Sequence, residues 1–200
     1  MDAGKPRFSI IAVDYEHHVP RPGMKQGLHS LATQTFKNFE LIIVHDGKKN
    51  IPYEEEFDFN VFQNPPIFLN TPERMNNWGH SGRDLGMRHA TGEYFLHFNI
   101  DNFLYSPCLE KISNKIDETE SKVIIYSIIH YKASGADFKF TGLPPVHCMI
   151  DAMQLVAHRD IWEEMGYWYN KETTSDGIIY EEMCKRYPYV HIDEILAENY

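Results

Sequence analysis

Long apolar runs are missing from this chain of 200 residues. The longest, residues 123–129, falls well short of the roughly 20 residues that span a membrane. The FSIIAV that follows Lys5 and Arg7 is likewise too short for a signal peptide. Cysteine is scarce: Cys108, Cys148 and Cys184 are scattered, with no C-x-x-C pair. That pattern excludes a disulfide framework and favours a reducing compartment. The expectation is a soluble, cytoplasmic protein without a transmembrane segment. Basic residues are few, 19 against 29 acidic ones, for a net charge of −10. This argues against a general nucleic-acid partner, which selects basic faces, but not against one small anion held by a local cation or metal. Also absent are the phosphate loop G-x-x-x-x-G-K-[ST], the dinucleotide fingerprint G-x-G-x-x-G, the zinc motif H-E-x-x-H and the nucleophile elbow G-x-S-x-G.

What is present suits one α/β domain over residues 1–200. Aromatic residues reach 14%, which supplies core mass and also suits stacking on bases and sugar rings. Residues 8–13 and 39–44 are continuous apolar runs, the pattern of strands buried on both faces. Pro20, Pro22 and Gly23 break the chain between them before a helix over 24–35, giving a parallel βαβ unit within about 40 residues. Residues 53–58 are acidic and read as surface, and 61–63 as a short third strand before Pro65 and Pro66. A helix over 81–89 with Gly92 as its C-cap precedes a strand over 94–100. A further helix runs from Ser106-Pro107 to about residue 117, followed by a strand over 123–129. From 130 to 145 the pattern weakens, and Gly135, Gly142 and Pro144-Pro145 leave a hairpin or a mobile loop open. Strand over 151–158, helix over 159–165 ended by Gly166, helix over 174–186 and strand over 190–196 complete the reading. The expected fold is a mostly parallel central sheet flanked by helices, with an irregular second half.

Open parallel sheets bind ligands beyond the carboxyl ends of their strands. Three such ends are polar here: Asp14-Tyr15, His45-Asp46 and Asp101-Asn102. Each alone is also what a simple turn looks like; together they suggest a shared crevice. Asp101 is the metal candidate, since Mg²⁺ and Mn²⁺ at phosphate sites are held by one or two carboxylates plus substrate oxygens and water. Arg83, near the start of its helix, is placed to meet a nucleotide or diphosphate. Asp176, in T-T-S-D-G-I-I-Y-E-E-M, reads equally as an N-cap or as a base that takes a proton from a substrate hydroxyl. His147 and His191 are candidate further ligands for a metal or phosphate.

With these residues in view, the chain resembles family 2 glycosyltransferases of the GT-A fold. FSIIAVDYEHH is similar to an opening strand of the type S-I-I-I-P-T-Y-N-R, and QTFKNFELIIVHDGKK to Q-T-Y-x-N-x-E-I-I-V-V-D-D-G-S. GHSGRDLGMRHATGEYFLHFNIDN is similar to G-x-x-x-A-R-N-x-G-I-x-x-A-x-G-E-Y-I-x-F-L-D-x-D-D. LVAHRDIWEEMGYW and SDGIIYEEM resemble the acceptor half, so that residues 8–105 would bind the donor and 106–200 the acceptor. The resemblance implies a nucleotide-diphosphate sugar donor, Mn²⁺ or Mg²⁺ on the diphosphate, and inverting transfer to a hydroxyl of a glycan or other acceptor. Uridine, as in UDP-glucose, is the base expected by the family's commonest habit. By position, Tyr15 and Asp46 would line the base and ribose pocket and Arg83 would contact the nucleotide. Asp101 would hold the metal, and Asp176 would be the base. Asn99 replaces the first Asp of Asp-x-Asp, so Asp101 is that triplet's sole carboxylate, with His191 as a possible compensating ligand. His45 replaces the first Asp of D-D-G-S, and Asp14 and Glu16 stand where Thr and Asn are usual. Ser175-Asp176 replaces the E-D pair. The alternative is a non-catalytic nucleotide-sugar-binding domain on the same fold. The chain reads either as complete or as one domain of a longer transferase.

Overall fold

Phe8–Asp14 forms β1, a strand whose seven residues are all buried. Its alternation sends Phe8, Ile10 and Ala12 into one apolar layer and Ile11 into the other, so the sheet is covered on both faces. The computed structural model describes residues 4–15, 22–131 and 137–200. Glu16, Pro20 and Gly135, on which parts of the sequence reading fall, lie outside them.

After β1 come α1 (Pro22–Ala32), β2 (Phe39–His45), α2 (Tyr53–Glu56) and β3 (Ile67–Asn70). Then follow α3 (His80–His89), β4 (Tyr94–Asn99), β5 (Phe103–Leu104) and α4 (Cys108–Thr119). The second half holds β6 (Val123–Tyr131), β7 (Asp137–Phe140), β8 (Leu155–His158), α5 (Arg159–Met165), α6 (Ser175–Arg186) and β9 (Val190–Asn199). The nine strands make one sheet in the order β3-β2-β1-β4-β8-β6-β9-β5, with β7 paired to β6. β1, β2, β3 and β4 pair in parallel. β8 is antiparallel to both β4 and β6, and β9 runs parallel to β6. Residues of α1 and α4, such as Leu28 and Ile112, pack in the layer with Ile10. Residues of α3, α5 and α6, such as Met87, Trp162 and Met183, pack in the layer with Ile11.

Several expectations shift locally. The strand expected at 61–63 is instead a 3-10 turn, Phe59–Val61, whose Asp58 side chain accepts from the Asn60 N–H at 3.0 Å. Pro65 and Pro66 have no N–H to give a ladder, so the edge strand forms only after them, as β3. The strand expected at 151–158 keeps only its second half. Asp151 heads a 3-10 turn with a reciprocal capping box: it accepts from Met153 N, and Gln154 Oε1 accepts from Asp151 N. Tyr53, expected at the surface, is buried. Between 130 and 145, the described portion contains β7, the hairpin alternative of the two left open. α3 ends at Ala90 in extended conformation, so Gly92 is not its cap. A Cβ at Gly92 would lie 2.6 Å from Ser9 Oγ, and this close approach is what requires glycine.

Gly27 positions the site in a comparable way. It lets α1 rest on the backbone that leaves β4: an added Cβ would stand 2.1 Å from the Ile100 carbonyl oxygen.

Candidate active site

The carboxyl ends of β1, β2 and β4 are neighbours, and a cleft of about 530 Å³ opens beyond them. Tyr15, Asp46, Arg83, Asn99, Asp101 and Asp176 all line it, with Asp14 beside them. Strand order explains the first part of this convergence. Adjacent parallel strands that end in register put their terminal side chains at one edge.

Each residue is held by a specific contact. Asp14 is buried, and its Oδ2 accepts from the Tyr53 hydroxyl at 2.9 Å. Tyr15 is 44% exposed, with the Arg74 guanidinium 5.8 Å from its ring centre. Asp46 Oδ1 accepts from the Met75 N–H and Oδ2 from the Asn76 N–H, both at 2.8 Å. Thr71 Oγ1 adds a 3.1 Å bond to Oδ1, so Asp46 organises the segment that leads into α3. His45 is fully buried, with Nδ1 2.9 Å from the Gly47 carbonyl oxygen.

Arg83 forms the floor. It is buried, donates from Nη2 to Asn99 Oδ1 at 2.6 Å and from Nη1 to the Trp78 carbonyl at 2.7 Å. Its guanidinium lies 5.2 Å from the Trp168 ring centre, while His80 stacks on the same indole at 5.7 Å. Burial lowers the Arg83 pKa, and the charges of Asp176 and Asp151 raise it. Burial, then Arg83 beside it, pushes His80 down to about 4, so this imidazole is neutral. His97, packed edge-on against Trp162 and Trp168, is held well below the usual histidine range by burial.

Asp176 lies in the first turn of α6, where helix N–H groups favour a carboxylate. Burial raises its pKa, opposed by the Gly177 N–H and by Arg83. The structure adds a carboxylate that the sequence reading passed over. Asp151 lines the same cleft, its Oδ2 accepting from Asn199 Nδ2 at 2.6 Å, and burial raises its pKa too. Two carboxylates above a buried arginine make a site that holds positive charge low and proton acceptors high. Such a site suits an anion and a hydroxyl side by side.

His147 and His191 do not join the cleft lining. His147 Nε2 is 2.6 Å from Thr174 Oγ1, just before α6. His191 Nε2 is 3.1 Å from the Thr141 carbonyl oxygen. It lies near the start of β9, whereas Tyr200, just past the strand's other end, lines the cleft; the rise of a strand separates the two ends by roughly 25 Å. Among the described residues, no group of three or more His, Cys, Asp or Glu side chains is arranged to hold a metal ion. The donor set thus does not make an all-protein cage. Asp101, at the cleft edge, fits a metal that takes its remaining ligands from substrate phosphate and water.

Comparison with known proteins identifies the fold and the family. The chain superposes on Staphylococcus aureus TarS residues 1–349 with a TM-score of 0.76 at 15% identity, covering 96% of this chain and 60% of that one. A mannosyltransferase from Pyrobaculum calidifontis, in complex with GDP-Man and Mn²⁺, aligns with a TM-score of 0.73 at 13% identity over 99% of this chain and 58% of that one. The fold is that of the GT-A glycosyltransferases. The sequence model of Glycosyl transferase family 2 matches residues 15–176, and the chain belongs to that family. Curated relatives include the glycosyltransferase GlyA of Streptococcus pneumoniae, 23% identical over 58% of this chain and 16% of its own length. An uncharacterized glycosyltransferase of Rickettsia conorii is 24% identical over 86% of this chain and 30% of its own. The chain therefore spans less than a third of either relative. Among the described residues, no helix is long and apolar enough to cross a membrane.

Proposed function

We propose that this chain transfers a sugar from a nucleotide-diphosphate donor, with UDP favoured, to an acceptor hydroxyl with inversion. The observation that carries the reading is the meeting of Tyr15, Asp46, Arg83, Asp101 and Asp176 in one cleft beyond the strand ends. Tyr15 with Arg74 offers a stacking face for the base. Arg83 is a buried cation whose side-chain hydrogen bond goes to an amide rather than a carboxylate, which leaves it suited to meet the diphosphate. Asp101 would hold Mn²⁺ or Mg²⁺; when bound, the ion neutralises charge on the departing nucleotide, a contribution of several kcal/mol. Asp176 takes the proton of the acceptor hydroxyl as that oxygen attacks the anomeric carbon from the face opposite the nucleotide. Its raised pKa strengthens it as a base. Relatives of the fold lend support to the donor class: TarS is known with UDP and with UDP-GlcNAc, and the mannosyltransferase with GDP-Man and Mn²⁺.

Calorimetric titration of UDP-glucose, with and without Mn²⁺, into wild type and Asp101→Ala tests the reading. Metal-enhanced binding that Asp101→Ala loses is expected. Failure of UDP-, GDP- and dTDP-sugars alike to bind would end the donor assignment. Asn99 in place of a carboxylate favours one second reading, a nucleotide-sugar binder without catalysis. Under that reading donor binds, but no sugar transfer or donor hydrolysis is measurable.

A further inference from the structure

β9 leads into Tyr200, which lines the cleft on the flank away from Tyr15. Strand order places β4, β8 and β6 between them. Three phenols converge on the Glu198 carboxylate. Tyr105 donates to Oε1 at 2.5 Å, Tyr200 to Oε2 at 2.5 Å and Tyr131 to Oε2 at 3.1 Å. Tyr131 and Tyr200 also stack face to face, with ring centres 4.8 Å apart and planes within 1°. The Tyr200 ring is thus fixed at both its edge and one face. Even so it stays 55% exposed, and it lines the cleft that holds Asp101, Asp151 and Asp176.

A large aromatic ring fixed in a cleft offers its open face for stacking to a ligand in that cleft. A pyranose fits because one of its faces is a patch of C–H groups and its rim is hydroxyl. A carboxylate offers roughly four acceptor sites, and the phenols use three at Glu198, so one remains for a sugar hydroxyl. The carboxylates of Asp151 and Asp176 in the cleft, with Glu198 behind the Tyr200 hydroxyl, repel an anionic acceptor, which selects a neutral one. We propose that Tyr200, braced by Tyr131 and Glu198, is the platform on which a neutral hexopyranoside acceptor stacks beside Asp176. The assignment rests on the transferase reading above and narrows its acceptor to a neutral sugar.

The test is saturation-transfer NMR with methyl hexopyranosides of gluco, galacto and manno configuration, and with methyl glucuronide as the anionic control. At least one neutral glycoside should receive saturation mainly at its ring C–H protons. Tyr200→Ala should weaken that contact about tenfold, whereas Tyr200→Phe, which keeps the ring, should retain most of it. A signal that survives Tyr200→Ala, no signal from any neutral glycoside, or a preference for the glucuronide would overturn the platform. UDP titrated into the same wild-type sample reports on the transferase reading separately. Sugar contact without nucleotide binding would strike that reading alone, and nucleotide binding without a Tyr200-dependent sugar contact would strike the platform alone.

Discussion

Arg83 Nη2 donates to Asn99 Oδ1 at 2.6 Å, so the buried guanidinium at the floor of the cleft is paired with an amide and not with a carboxylate. In the family's usual Asp-x-Asp triplet this position is an acid. The amide keeps the hydrogen bond without adding a further negative charge to those of Asp151 and Asp176 nearby. Under the proposed function, the arginine and a bound metal would divide the task of meeting a diphosphate, with more of it on the arginine than a full triplet would leave.

Asn99→Asp should reverse that division. A second carboxylate two residues from Asp101 strengthens Mn²⁺ binding, while an ion pair with Arg83 removes the charge that holds the diphosphate alone. UDP affinity measured without metal should fall about tenfold, and the enhancement by Mn²⁺ should grow by a similar factor. Equal UDP affinity in the two proteins without metal would show that Arg83 does not carry this charge.

Asp176→Asn separates catalysis from stability. Loss of the base should lower the transfer rate by about 10²–10⁴-fold. Burial raises the Asp176 pKa above 3.8, so the folded state binds this proton more tightly than the unfolded chain does. Its contribution to stability therefore declines as pH rises through that value toward the folded pKa, and the charged form is a cost at neutral pH. The neutral amide should raise the melting temperature at pH 7, with the gain shrinking as pH falls toward 3.8. An unchanged transfer rate would remove Asp176 from the mechanism.

His80 behaves in the opposite sense. Its pKa falls from 6.5 to about 4 on folding, because burial and Arg83 disfavour the imidazolium. The unfolded chain therefore binds the proton first. Stability from this group is complete above 6.5 and is lost as pH falls from there to about 4, on the order of 3 kcal/mol across the window. Denaturant midpoints of wild type and His80→Gln, compared between those pH values, isolate this residue from the carboxylates. The variant should show the flatter profile, and parallel profiles would refute the assignment.

Much of this was legible in local pattern. The apolar runs that became β1, β2 and β4 carry their polar ends with them, and parallel pairing sets Asp14 opposite His45 and Val13 opposite Asn99, which brings Asp46 and Asp101 to the same edge. Residues whose role depends on distant packing were not legible. Asp151 looked like the start of a strand because the capping box of D-A-M-Q shows only once Gln154 turns back. Trp168, beneath Arg83, sits in a G-Y-W-Y segment with no periodicity to mark it. His191 was a candidate further ligand, but the length of β9 puts it at the end of the strand away from the cleft. Gly92 looked like a helix cap because a glycine three residues after a helix commonly is one. Its true constraint is the backbone of β1, many residues away.

Gly27 carries the last prediction, since it ties the fold to the site. Its added Cβ would meet the Ile100 carbonyl oxygen at 2.1 Å and the Asn102 carbonyl oxygen at 2.7 Å. Both belong to backbone, which cannot swing aside as a side chain does, so either α1 or the turn that carries Asp101 has to move. Overpacking of this kind costs about 1–3 kcal/mol, and Gly27→Ala should lower the denaturant midpoint accordingly. If the turn is what yields, Asp101 is displaced and Mn²⁺-dependent UDP binding weakens more than metal-free binding does. If α1 yields, stability falls while the two affinities keep their ratio. A variant as stable as wild type would show that the contact between α1 and the end of β4 is looser than its backbone spacing implies.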